Sequence, residues 1–153
     1  MTLKTNWQSG DTLLPEDLNT VATQVNTNTT ALATMTMPYD LSIVAFGAIS
    51  LRLASSYGDF PMGIKVQRAC SFTSVTYRVN TPDSSGNLVV ELRKNGVQLS
   101  GSSATIAAAN QVTGGTATGT WVLAAGDILT VYVTAVGTNP GAGLIADILG
   151  IAS

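Results

Sequence analysis

Six residues near the start of the chain, Leu18, Val21, Val25, Asn28, Leu32 and Met35, are spaced 3, 4, 3, 4 and 3 positions apart. This is the a/d repeat of a coiled coil, with Leu18, Val25 and Leu32 at a and Val21, Asn28 and Met35 at d. A helix lying on its own domain buries a wider apolar face than this narrow stripe. The spacing therefore predicts a helix whose partners are further copies of itself. A β-branched residue at d with Leu at a leans away from dimers and toward trimers. Asn28 puts a polar amide on the seam, a device that lowers stability and fixes register and oligomer state. The surrounding VNTNTT (residues 25–30) consists of mediocre helix formers. A seam of under three heptads in such a segment is marginal alone. The remainder of the chain is expected to trimerise as well, which makes the helix a neck.

The chain divides into three parts. Residues 1–14, MTLKTNWQSGDTLL, read as an arm with a lone Trp7 and a Ser9-Gly10-Asp11 turn. Residues 15–37 hold the helix. Pro15 suits the first helical position, Glu16 and Asp17 suit the positive end of the dipole, and Pro38 closes the segment. Leu13 and Leu18 are spaced for a hydrophobic staple across its start.

Residues 38–153 change to period two. In VTYRV, Val75, Tyr77 and Val79 share a face, and in LVVELR, Leu88, Val90 and Leu92 oppose Val89, Glu91 and Arg93. Asn95-Gly96 then marks a two-residue hairpin turn. Further strands are expected in ATGTWVL, DILTVYVTAV and AGLIADIL. About eight short strands with turns every 8–12 residues predict a mainly β domain, a jelly roll or β-sandwich. The last strand is apolar on both faces, so it calls for a second covering layer, which a neighbouring subunit would supply.

Chemistry is hard to place in this sequence. It contains no His, which removes the usual general base and the commonest metal ligand. The single cysteine, Cys70, forms no intrachain disulfide and reads as a small buried hydrophobe. Asp59, Asp83, Glu91, Asp127 and Asp147 stand apart from one another. PDSSGN (82–87) is faintly like a calcium loop but lacks the ligand spacing and reads as a solvated turn. TGGTATG (113–119) reads as a flexible loop, since no Gly-Lys-Ser/Thr follows. GDFPMG (58–63) presents Phe60 and Met62, either to the core or to a neighbour. These features predict no enzyme activity, no cofactor and no metal.

Net charge is −2 and the seven basic residues are scattered, so nucleic acid is not an expected partner. No apolar run is long enough to span a bilayer, and no secretory h-region opens the chain, so a cytoplasmic site of synthesis is expected. Charged residues make up only 10 % of the chain. A sequence so poor in charge is expected to bury surface between subunits.

Three stretches carry resemblances. VNTNT, with Val25 at a and Asn28 at d, resembles the VxxNTxx heptad of trimeric fibrous adhesins and phage fibres. That resemblance implies three Asn28 side chains at the trimer axis holding an anion. NWQSGDTLLPEDLNT resembles the N-terminal segment of small bacteriophage virion proteins at Gly10, Asp11, Asp17, Leu18 and Asn19, with Leu14 standing where that pattern has a capping Thr. CSFTSVTYRVNTPDSSGNLVVELRKNGVQL and LAAGDILTVYVTAVGTNPGAGL are similar to a domain of actinobacteriophage structural proteins.

Together these resemblances imply a homotrimeric virion protein of a tailed phage. Its N-terminal arm would attach to the major capsid protein or another virion protein through Trp7, Leu13 and Leu14, and its jelly roll would face outward. Capsid decoration or a head fibre is the first expectation. A tail-associated receptor-binding protein gripping a host glycan is the alternative, with Trp121, Tyr57 and Tyr132 as its candidate aromatics. A depolymerase is a remote third.

Overall fold

The computed structural model describes residues 8–10, 12, 14–33 and 35–152. Trp7 and Leu13, two of the three expected attachment residues, and with Leu13 the expected staple, lie outside the described residues. The chain forms two compact units, residues 1–36 and residues 37–153.

The first unit contains one helix, α1 (Pro15–Ala33). It is framed at its start by Leu14, whose carbonyl accepts from the amides of Asp17 and Leu18 at 3.0 and 3.3 Å. The Asp17 carboxylate reaches back to the Leu14 amide at 3.1 Å. That is one half of a capping box; Leu14 has no hydroxyl to make the other half. Within the helix, the hydroxyls of Thr20, Thr23, Thr27, Thr29 and Thr30 each donate to the carbonyl four residues back. The threonines thus satisfy their own polar groups on the helix surface. The helix ends earlier than the expected 15–37 span. Pro38 disfavours helical geometry at Met37, and Met37 and Pro38 instead form a short strand.

The second unit holds ten strands: β1 (Met37–Pro38), β2 (Leu41–Leu51), β3 (Ile64–Lys65), β4 (Cys70–Arg78), β5 (Asn87–Lys94), β6 (Val97–Gln98), β7 (Ala104–Ala107), β8 (Gly115–Leu123), β9 (Ile128–Ala135) and β10 (Ala142–Ala152). They build two five-stranded antiparallel sheets. In the first, β10 is flanked on one side by β1 and β2 and on the other by β4, which pairs with β8. In the second, the order is β3-β9-β5, with β6 and β7 both pairing β5. The alternating faces named from the sequence are the buried ones. Val75, Tyr77, Leu88, Val90, Leu92, Leu129 and Val133 join one apolar cluster shared by both sheets. Asn95 and Gly96, both at positive φ, close the expected hairpin, with Lys94 opposite Val97.

Two expectations are corrected. Gly115 to Gly119 do not form a loop but open strand β8. A Cβ on Gly115 would meet Ile106 Cγ1 at 2.6 Å, so glycine there permits close packing in place of flexibility. Asp83 is not in a solvated turn; it is buried against Arg52. Arg52 Nη2 donates to Asp83 Oδ1 at 2.7 Å, and Nη1 donates to the carbonyls of Ala142 and Gly143. Asp83 also accepts from the amides of Gly137 and Gly141 and from Gln111 Nε2.

Burial by itself pushes the Asp83 carboxyl up, but the amides of Gly141 and Gly137, the Gln111 side chain and the Arg52 guanidinium together hold it below the ordinary carboxylate value. A depressed folded-state value contributes stability that is present above the unfolded value, about 4, and lost as pH falls through the folded one.

Two outcomes follow from these contacts. Asp83→Asn should destabilise the β unit by about 3–5 kcal/mol, because it strands the buried guanidinium. It should also flatten the loss of stability below about pH 4, read by thermal denaturation across a pH series. Leu14→Thr should complete the capping box and stabilise α1 by about 1 kcal/mol, read as increased helical signal by circular dichroism.

Candidate functional site

The heptad stripe is the first candidate. Leu18, Val21, Val25, Leu32 and Met35 are all exposed, Leu32 at 70 %, and no described residue of α1 is buried. Asn28 is exposed on the same stripe. Its Oδ1 accepts from Gln24 Nε2, one turn earlier, at 2.8 Å. The oxygen is therefore engaged within the helix, and the NH2 group is the end with donors to offer.

The three aromatic candidates for glycan contact separate. Trp121 is in the core, with its indole N–H donating to the Ser100 carbonyl at 2.9 Å. Tyr57 and Tyr132 do meet, edge to face with centroids 4.7 Å apart. The two rings are, however, occupied from within. The Arg93 guanidinium lies 3.3 Å from the Tyr132 ring centroid, donates to the Tyr57 hydroxyl, and is held by Glu91 at 2.7 Å. The guanidinium thus occupies one face of the Tyr132 ring, and both tyrosines are half-buried.

Cys70 is buried, as its composition context predicted. Among the described residues, no cluster of His, Cys, Asp and Glu could hold a metal ion, and no helix is long and apolar enough to cross a membrane.

On the outer face of the first sheet, Asp147 is bracketed by the Ser42 hydroxyl and Arg78 Nε, each at 2.7 Å. Burial pushes this carboxyl up, and Ser42 and Arg78 more than reverse the effect. Around the pair, β10 exposes Leu149 and Ile151, and β8 exposes Val122. The outer face of β10, expected to need a covering layer, is thus open in the single chain.

GDFPMG does not pack its two large side chains into the core. Phe60 and Met62 are exposed, Met62 at 86 %. Their segment is nonetheless fixed along the free edge of β2. The Asp59 amide donates to the Ala45 carbonyl, and Asp59 Oδ2 accepts from the Gly47 amide, both at 2.7 Å. The Gly47 amide, with help from the Ser50 hydroxyl, holds the Asp59 carboxyl below its ordinary value. Ile43, Val44, Phe60, Gly63 and Ile64 line a shallow apolar groove of about 240 Å³ beside it. Sequence reading missed this surface because the four residues from Gly47 to Ser50 lie opposite Gly143 alone, between the Phe46–Leu144 and Leu51–Ala142 pairs. The excursion breaks the alternation and turns Ile49 outward.

No protein-family model matches the chain, and no curated protein is significantly similar to it.

Gly58 sets this segment against β2. It has φ +77°, and a Cβ there would run into the Ala45 carbonyl. Gly58→Ala should therefore cost well over about 1 kcal/mol. It should also raise amide exchange at Gly47 and Asp59 ahead of the rest of the sheet, as hydrogen-exchange mass spectrometry would read.

Proposed function

We propose that this chain is a non-enzymatic structural protein of a tailed-phage virion, a homotrimer that decorates the capsid or forms a short head fibre. The observation that carries the reading is the exposed α1 seam, in which Leu, Val and Asn fall in one unbroken heptad register. Apolar side chains repeating on one narrow stripe, with nothing of the helix buried, call for identical neighbours. Three Asn28 amides meeting at a threefold axis would present their NH2 donors to a shared anion and so offset part of the cost of burying them.

The strand order supports a jelly-roll reading of the β unit. One sheet runs β2-β10-β4-β8 and the other β3-β9-β5-β7, so the chain crosses between sheets at every step from β2 to β5 and again from β7 to β10, as two interleaved Greek keys require. The occupied Tyr57–Tyr132 pair weighs against a glycan-gripping tail protein. A threefold particle fits an icosahedral shell, which offers many threefold and quasi-threefold positions.

Light scattering should give a mass three times the 15.7 kDa of the chain. Val25→Asp should weaken that assembly. Asn28→Ile should stabilise the assembly by about 1 kcal/mol or more per chain, read as a higher melting temperature, while broadening the distribution of oligomeric states. A monomeric wild-type mass rejects the reading. In purified virions, a copy number near that of the major capsid protein supports decoration, and a few trimers per particle would move the protein to the tail.

A further inference from the structure

Among the described residues, the β unit carries an exposed apolar surface of its own, made of residues other than those of the α1 seam. Val44, Ile49, Leu51 and Leu53 lie along β2 and the residues that follow it, and Phe60 and Met62 lie on the segment fixed to its edge. Ile49 is 91 % exposed, and all six rank among the exposed large hydrophobics. Val44 and Phe60 share one groove, and the Asp59–Gly47 hydrogen bond joins the Phe60 segment to the Ile49 excursion. These contacts join β2 and the Phe60 segment into one region of the surface, and the other exposed side chains follow directly along the same two segments.

We propose that this surface is a second self-association face, on which the β units of neighbouring copies of this chain meet. The proposal rests on the trimer reading above and names where the β units touch. Three observations select a second copy as the occupant. First, area: at roughly 150–200 Å² per fully exposed large side chain, the six together present about 600–800 Å², approaching what one partner contributes to a standard stable interface. That exceeds the few hundred Å² usual for the largest apolar patch of a monomer.

Second, charge: between residues 44 and 62 the only charged residues are Arg52 and Asp59. Arg52 is fully buried, and Asp59 is engaged by the Gly47 amide. A surface this short of charge matches another copy of itself without placing like charges face to face. Third, need: α1 has 19 residues, many of them weak helix formers, and carries a polar Asn28 on its seam, so it is marginal as an isolated coiled coil. A trimer needs a further interface, and α1 raises the effective concentration of the attached β units once it assembles. The protruding Ile49 and Met62 and the groove beside Phe60 supply both a convex and a concave element within the one face.

The test uses the full chain carrying Met62→Cys. Cys70 is fully buried, so the introduced thiol is the reactive one. Maleimide labelling, compared with a small free thiol, should be slowed at least tenfold in a protein that light scattering finds trimeric. A trimer labelled at the free-thiol rate overturns the proposal while leaving the trimer reading intact, and hands the face to a different protein. A protected thiol in a monomeric protein also overturns it, since another segment of the same chain would then cover the face. A second variant, Ile49→Asp with Met62→Asp, alters only exposed positions and should keep the β signal in circular dichroism. Its trimer should dissociate at a protein concentration at least tenfold higher than wild type; an unchanged dissociation midpoint counts against the face.

Discussion

The β unit depends on one buried ion pair. Arg52 and Asp83 are both sealed from solvent, and together with Gln111 they join all four chain segments that cross between the sheets at that end. Arg52 follows β2, Asp83 lies between β4 and β5, Gln111 precedes β8, and the Gly137 and Gly141 amides lie between β9 and β10. A buried charge pair is costly unless most of its remaining hydrogen-bonding capacity is met, and among the buried side-chain polar atoms of the described residues only Arg52 Nε is left without a partner. Here the carboxylate collects two backbone amides and the Gln111 side chain as well as the guanidinium. Both glycines are required by close approach: a Cβ on Gly137 would strike the Ser85 carbonyl, and one on Gly141 the Thr81 carbonyl. The opposite end has its own tie. Asp127 accepts from Asn95 Nδ2 and the Ala124 amide and pairs with Lys94, while Val66 exchanges backbone bonds with Gly126 and Asp127.

These ties consume much of a small supply of charge. Of seven basic residues, Arg52, Arg78, Arg93 and Lys94 pair within the β unit, with Asp83, Asp147, Glu91 and Asp127. Of these pairs, Arg52–Asp83 is fully buried and Arg93–Glu91 largely so, while Arg78–Asp147 stays at the surface. The exposed apolar side chains of β2, the Phe60–Met62 segment and β10 go with a sequence that has only 10 % charged residues. The helix follows the same economy by other means. Its threonines bond back to its own carbonyls, so its polar surface needs few charges.

By itself the sequence determined the local periodicities. The helix that carries Leu18 to Leu32 and the alternation in β4, β5 and β9 were legible because side-chain direction follows backbone period directly, although Met35 falls beyond the helix end. The Asn95-Gly96 turn was legible because only a few residue types accept positive φ at both positions. Tertiary structure alone decided the rest. Asp83 reads as a turn residue until Arg52, 31 positions away, is brought to it. Tyr57 and Tyr132 read as open aromatics until Arg93 fills the space beside them. Gly115 reads as loop until Ile106 takes the volume its side chain would have needed. The face around Ile49 exists only because the Gly47–Ser50 excursion interrupts the register of β2 on β10. In each case the deciding contact joins residues distant in the chain, and no local pattern encodes which distant group will arrive.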